Sequence, residues 1–324
     1  MALKRLAVAV ALLAAFALSP DAGAAEGKLK GYMFGDYYYV AGGPDKKENG
    51  FRFRRIYLTY NMKWDDVFSG RLRLEAKDAG FGKTGKMEPF VKHAYLRYKK
   101  NGKSIYAGLA GTPTWNVSER IWGYRPMSKT IMDLHKIGSS ADLGVALHGR
   151  VDAEGKLNYQ LMLGNGPGQS AEVDNDKKVY GLLHLKPAGD IEATVYLDWE
   201  SQPGGQDRLT VAGFIGTAGK RFHGGLEGFM RTNKKQAAGD DVKVRGISAF
   251  GAGKMNEKTK AFARVDLYDP SDKAGDDREY LVIGGIDLAL AEGIHLMPNF
   301  TATAYQDANA DAEVIPRATL YFKF

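Results

Sequence analysis

Arginines recur two residues apart in segments whose intervening residues are mostly apolar, as at Arg52 and Arg54 and at Arg71 and Arg73. In an extended strand, residues two apart share a face, so the members of each pair point the same way. A row of guanidinium groups attracts anions, although cross-strand pairing with carboxylates would give the same residues a structural role. The expected inward-facing set is Arg52, Arg54, Arg71, Arg73, Glu75, Arg97, Arg264 and Arg317.

Other site chemistries have little support in the sequence. The chain has no cysteine, which excludes thiolate nucleophiles and cysteine-based metal sites. No two histidines have the spacing of a helical zinc site. Residues 80–85 match G-x-G-x-x-G but no βαβ context follows, so they read as a loop. We therefore expect no catalytic residues, no metal and no cofactor.

The N-terminus has the three parts of a secretory signal peptide. A basic start at 4–5 precedes an apolar run from Leu6 to Leu18, and small residues follow at 22–25. The run is shorter than the roughly 20 apolar residues that cross a bilayer. Cleavage after Ala24 or Ala25 fits equally well. We expect a cleaved signal at 1–24 and a single domain at 25–324, in which no stretch is apolar enough for a transmembrane helix.

The rest of the chain alternates apolar and polar residues. Between Ile191 and Glu200, every odd-numbered residue is apolar and most even-numbered residues are polar or charged. A helix would mix the two sets, so this pattern predicts a strand with two different faces. The predicted strands are 29–40, 51–62, 68–78, 89–99, 104–111, 141–151, 156–165, 178–187, 190–200, 208–216, 220–231, 242–254, 261–269, 279–290, 294–305 and 313–324.

The connections between these strands alternate between short and mostly longer, which is typical of transmembrane β-barrels. The longer ones are expected at 41–50, 79–88, 112–140, 166–177, 232–241 and 270–278, whereas 201–207 and 306–312 are shorter. Phe322 and Phe324 end the last alternating segment, a pattern similar to the C-terminal aromatic signal of outer-membrane proteins. The sequence therefore predicts an all-β protein, a closed antiparallel barrel of 16 strands (or 14 or 18) in the bacterial outer membrane.

Two local features concern the interior of this barrel. The apolar parity changes at Arg54 and Arg55, which predicts a β-bulge and leaves the direction of Arg55 open. The longest connection, 112–140, contains Trp115, Trp122 and Tyr124, which would pack a folded loop against the wall. It is expected to fold into the barrel and narrow it, although an exposed cap is the alternative. There it would face the arginines of the early strands. Its expected constriction residues are Arg120, Arg125, Lys129 and Lys136.

Several segments resemble the phosphate-selective porin O and P family. They are Gly50 to Asp78, Val91 to Leu96, Tyr106 to Pro113, Leu143 to Gly149 and Tyr159 to Gly166. The resemblance covers the first half of the chain and continues in the second half only as a rhythm of strands. It implies a 16-stranded, usually trimeric porin with a basic constriction, but no phosphate-binding set matches residue by residue.

These observations together predict a passive porin with mild anion preference. The net charge is +7, and an exported protein rarely meets nucleic acid, so the expected partners are small anionic or neutral solutes, outer-membrane lipid and two further copies of the chain. Three alternatives stay open. They are a barrel enzyme such as a phospholipase, a scaffold barrel around a partner protein, and a soluble periplasmic β-protein.

Overall fold

A computed structural model of the protein describes residues 25–78, 85–237 and 239–324. The expected signal peptide, and 80–84 of the glycine motif, lie outside these residues. The described chain forms β1 (Glu26–Tyr39), β2 (Asn49–Lys63), β3 (Phe68–Lys77), β4 (Glu88–Lys100), β5 (Lys103–Gly111), α1 (Asn116–Trp122), α2 (Ile131–Leu134), β6 (Ala141–Arg150), β7 (Leu157–Gly164), β8 (Lys178–Leu185), β9 (Ile191–Glu200), a 3₁₀ turn (Pro203–Gly205), β10 (Arg208–Ala218), β11 (Phe222–Ala237), β12 (Asp240–Asn256), β13 (Thr259–Asp269), β14 (Glu279–Ala291), β15 (Ile294–Tyr305) and β16 (Glu313–Lys323).

The strands form one closed antiparallel barrel in which each strand pairs with its sequence neighbours. β1 pairs with β16 and closes the sheet, with Gly35 opposite Leu320. The prediction of a closed 16-strand barrel is therefore confirmed. Closure leaves no unpaired edge strand, so each strand forms backbone hydrogen bonds with a neighbour on both sides. Among the residues described, no helix is both long and apolar enough to cross a membrane.

The two faces of the strands differ as the alternation predicts. Exposed apolar side chains cover the middle of the outer surface, whereas the intervening side chains point inwards and are mostly polar. Aromatic residues gather towards the two ends of this apolar band. Representative outward aliphatic residues are Leu58, Leu72, Ile105, Val145, Leu161, Val195 and Ile215, and outward aromatic residues are Tyr37, Phe51, Tyr60, Trp64, Phe68, Phe222 and Tyr305.

The connections define a turn end and a loop end of the barrel. The turn end carries the short connections 64–67, 101–102, 151–156, 186–190, 219–221, 257–258 and 292–293. The opposite, loop end carries 112–140, named L3 below, and most of the other longer connections. The predicted long connection at 232–241 is wrong. β11 and β12 continue through most of it as a hairpin, with Thr232 opposite Lys243, because backbone pairing continues beyond the alternating segment.

Candidate functional site

L3 folds into the barrel and packs against one side of its inner wall. α1 contacts β10, β11 and β12, and α2 contacts β12. Trp122 is fully buried, with its ring 5.4 Å from Phe250 and 6.3 Å from Phe262. The buried core of the protein is therefore the contact between L3 and this side of the wall, as the aromatic residues of the loop led us to expect.

Polar contacts attach L3 to the same wall. Ser118 Oγ donates a hydrogen bond to Glu227 Oε1 at 2.8 Å, and Thr114 Oγ1 lies 3.2 Å from the Tyr196 hydroxyl. Arg264 points inwards, but L3 covers it and leaves it 1 % exposed. Its guanidinium lies over Trp122, pairs with Asp266 and donates to the carbonyl of Lys129. Arg264 therefore holds L3 in place and does not face the open lumen.

The open space of the barrel lies on the other side of L3. A cavity of about 250 Å³ separates the loop from the inner wall of β1 to β4, and its lining includes Arg73 and Arg125. A cavity of about 490 Å³ opens towards the loop end, and one of about 390 Å³ opens towards the turn end. Arg125 lines all three cavities, so each of them borders this residue of L3.

The charged residues of L3 are largely compensated within the loop. Arg125 Nε lies 3.4 Å from Glu119 Oε2 and its terminal nitrogen 3.7 Å from Asp133 Oδ2. Lys129 Nζ lies 2.7 Å from Asp133 Oδ1. Lys136 lines the narrow cavity of about 250 Å³. Its backbone has a positive φ of 55°. Arg125, Lys129 and Lys136 thus border the narrow cavity.

Arg120 differs from the prediction. Its guanidinium lies 2.5 Å from Glu192 Oε2 on β9, and the same oxygen lies 2.6 Å from His184 Nε2 on β8. Both strands lie on the far side of the barrel from the early arginines. The expectation that Arg120 faces those arginines is therefore wrong, because α1 turns this side chain towards the opposite wall.

Burial in the loop shifts the pKa values of three ionisable groups. Burial lowers the pKa of His135 to about 4, and its ring stacks on Tyr268 at 3.5 Å. Burial also raises the pKa of Glu119, against the opposing effect of Arg125. For Lys129, burial lowers the pKa although Asp133 stabilises the charged form. His135 is therefore neutral at pH 7 and adds no charge to the passage.

A β-bulge brings both Arg54 and Arg55 into the lumen. The register against β1 shifts between Phe34 and Gly35, so Arg54 has no partner of its own on that strand. Arg54 Nε lies 2.6 Å from Asp36 Oδ1, and its terminal nitrogens contact the carbonyls of residues 126–127 in L3. Arg55 lies 3.3 Å from Glu75. The predicted bulge is present and settles the direction of Arg55.

A second bulge was not predicted. The pairing of β3 and β4 shifts between Arg73 and Leu74, which leaves Lys92 as the extra residue. Lys92 Nζ lies 3.3 Å from Glu75 Oε2, so Glu75 has two cationic partners, Lys92 and Arg55. The sequence signal was available, because Lys92 and His93 interrupt the alternation between Val91 and Ala94 as the two arginines do in β2.

Two further predicted residues lie in polar surroundings near the loop end. Arg52 forms an ion pair with Asp78 at 2.5 Å. Arg317 donates a hydrogen bond to Thr301 Oγ1 at 2.7 Å and lies 4.0 Å from Asp36, which Arg54 also contacts. The charges of Arg52 and Arg54 are therefore balanced at this level of the barrel.

Three arginines nearer the turn end form a different arrangement, named the arginine ladder here: Arg71, Arg73 and Arg97. Each donates its Nε–H to a neutral oxygen on the residue directly opposite in the sheet, at 2.8, 2.8 and 2.9 Å. The acceptors are Asn61, Thr59 and Ser69. Within the described parts of the chain, no carboxylate lies within 4.0 Å of these arginines. The positive charge of the ladder is therefore not neutralised by an adjacent acid.

Comparison with known proteins places the fold. No family model and no curated protein sequence matches the chain. Among solved structures, the outer membrane channel DcaP of Acinetobacter baumannii superposes with a TM-score of 0.70 at 12% identity, over 94% of this chain and 99% of that one. An anion-selective porin from Comamonas acidovorans has a TM-score of 0.67 at 13% identity, over 93% and 100%.

The outer membrane protein OmpT of Vibrio cholerae, in a trimer form, has a TM-score of 0.63 at 13% identity, over 93% of this chain and 100% of that one. The chain therefore has the fold of bacterial outer-membrane porins. The finer resemblance to the phosphate-selective O and P family is not confirmed, since no family model matches.

Proposed function

We propose that the protein is an outer-membrane porin through which small hydrophilic solutes diffuse passively, with a weak preference for anions. The outer surface supports the membrane location. An apolar band between two sets of aromatic residues is what a barrel needs to sit in a bilayer. Inside, the cavities on the two sides of L3 both border Arg125, and the proposed aqueous route past the loop runs along this residue.

The arginine ladder is the observation that carries the anion preference. Most other charges near the route are paired, as in the Arg54–Asp36 and Arg125–Glu119 contacts. The ladder has only neutral partners among the described residues, so a net positive potential remains along this wall. Such a potential raises the local anion concentration and lowers the barrier for anions to enter. Salt screens charges beyond about 8 Å at 0.15 M, so we expect the preference to weaken as salt rises.

The test is the reversal potential of the purified protein in a planar bilayer under a KCl gradient. We expect the wild type to be mildly anion-selective and the double variant Arg71→Glu, Arg73→Glu to shift towards cations. The matched control, Lys186→Glu with Lys258→Glu, makes the same change in net charge at exposed turns and should shift far less. A cation-selective wild type, or an unmoved double variant, would contradict the anion preference. A protein that gives no conductance would contradict the porin function.

We further propose that the protein assembles as a homotrimer in the outer membrane. The trimer form of OmpT, which has the same fold, supports this assembly. Cross-linking of the folded protein in native membranes tests it, with a trimer band as the expected result and a monomer alone as the contrary one.

A further inference from the structure

A row of aromatic rings runs across the inner wall beside the arginine ladder, and passive diffusion alone does not require it. The row consists of His93, Tyr95, Tyr106 and His148 on β4, β5 and β6. Successive ring centroids are 6.1, 5.3 and 4.6 Å apart. These are the separations of interacting aromatic pairs, so the row is a continuous aromatic surface on the inner wall beside the ladder.

The ladder and the row are in contact. The guanidinium carbon of Arg71 lies 5.9 Å from the centre of the Tyr95 ring, and Arg97 lies opposite Tyr106 in the sheet. Because the Nε–H of each arginine is already bonded to its neutral partner, the two terminal nitrogens form the remaining donor edge. That edge has the geometry that binds a carboxylate with two parallel hydrogen bonds.

There is room for a solute at this place. A cavity of about 570 Å³ opens at the turn end, and Arg71, Tyr95 and Arg97 belong to its lining. This volume falls within the range of about 300–1,000 Å³ that is usual for small-molecule sites. Three carboxylates also line it. Asp65 and Asp66 belong to the connecting turn at its mouth, and Glu26 is the first residue of β1, opposite Lys63 in the sheet. The arginines and the tyrosine lie further along the wall.

The combination of groups indicates the class of solute. Inorganic phosphate would use the guanidinium edges and gain nothing from the rings. A neutral sugar could stack on the rings but would gain little from the positive charge of the ladder. A carboxylate attached to a flat apolar ring can use the donor edge and the aromatic surface at the same time.

We propose that the arginine ladder and the aromatic row together form a transient binding site for aromatic carboxylates on their way through the lumen. The site rests on the proposed porin function and refines it. Binding must stay weak, because conduction requires that a solute leave as readily as it enters. The expected sign of the site is therefore a brief, saturable obstruction of the ion current.

The test uses single-channel recording in KCl with benzoate as the probe and cyclohexanecarboxylate as its non-aromatic match in charge and ring size. We expect benzoate to reduce the wild-type current at a concentration about threefold to tenfold lower than cyclohexanecarboxylate does, the range that an aromatic pair contributes. Tyr95→Leu should remove this difference, and Arg71→Gln should weaken the effect of both acids. Tyr98→Leu is the matched control, because Tyr98 lies on the same strand and its ring packs against outward-facing Phe68.

Three results would decide against the site. Equal effects of the two acids on the wild type would overturn it without any variant. Unchanged benzoate sensitivity in Tyr95→Leu, with a normal KCl conductance that shows the barrel has folded, would also overturn it. So would an equal loss in Tyr98→Leu. The absence of KCl conductance in the wild type would instead contradict the proposed porin function, so the two failures are distinguishable.

Discussion

The ring of Phe324 lies over the backbone of Gly31, and a Cβ atom on Gly31 would collide with that ring. The same two residues exchange two backbone hydrogen bonds of 2.9 Å each. Their contact continues the pairing of β1 with β16, the pair that closes the barrel. A side chain at position 31 and the ring at position 324 therefore compete for one place at the closing seam.

Gly31→Val should lower the yield of folded barrel, because the ring must move or the seam must open. Overpacking of this kind typically costs about 1–3 kcal/mol. Phe324→Ala should also lower the yield, since it uncovers Gly31. Heat-modifiable gel migration of membrane fractions measures the folded fraction. Gly275→Val is the control, because a Cβ there meets nothing within 4 Å. A normal yield for Gly31→Val would mean that the seam is not sensitive to this contact.

Trp122→Ala should loosen L3 while the barrel stays closed. The strands are held by the backbone hydrogen bonds between them, whereas the loop depends on the packing of Trp122 against Phe250 and Phe262. Loss of a buried tryptophan costs about 3–5 kcal/mol. We expect a larger and noisier single-channel conductance with unchanged heat-modifiability. Trp199→Ala, on the outer surface, should leave the conductance unchanged. If Trp122→Ala conducts as the wild type does, L3 does not limit the current.

Glu75→Gln should increase the anion preference. Glu75 is the shared acidic partner of Arg55 and Lys92, so its neutralisation leaves these cations without that acid beside the narrow cavity. The reversal potential in a KCl gradient should move further towards the anion limit. Glu257→Gln removes the same charge from an exposed turn and should change the reversal potential much less. Equal shifts in the two variants would show that only net charge matters.

The strands were predictable because the two faces of each strand lie in different environments. Lipid outside and water inside require opposite polarity on alternate residues, so the alternation marks the strands in the sequence. The bulge at Arg54 and Arg55 was visible because it reverses this parity. The interruption at Lys92 is similar, but the alternating segment before it is too short to show clearly that the parity changes, and the prediction missed this bulge.

The docking of L3 could be expected only in outline. Its length and its aromatic residues indicated that it folds inwards, but the direction of each charge depends on partners far away in sequence. Arg120 faces Glu192, and Ser118 meets Glu227. No local pattern encodes these pairings, because they follow from which wall the loop packs against. The neutral partners of the arginine ladder were likewise hidden, since they depend on the register between strands.

Glu119 should make the anion preference depend on pH above the range in which an ordinary glutamate titrates. Burial raises the pKa of this carboxyl and Asp133 adds to the effect, while Arg125, Lys92 and Arg55 oppose it. As pH falls through this raised pKa, Glu119 takes up a proton, the lumen loses a negative charge, and the preference for anions rises.

Reversal potentials measured across a pH series should show this step in the wild type. Glu119→Gln should have the higher anion preference already at neutral pH and lack the step. Other carboxylates titrate at lower pH, so a common change there is expected in both proteins. If the wild type and Glu119→Gln give the same pH curve, the charge of Glu119 does not affect ion selectivity, because Arg125 already neutralises it.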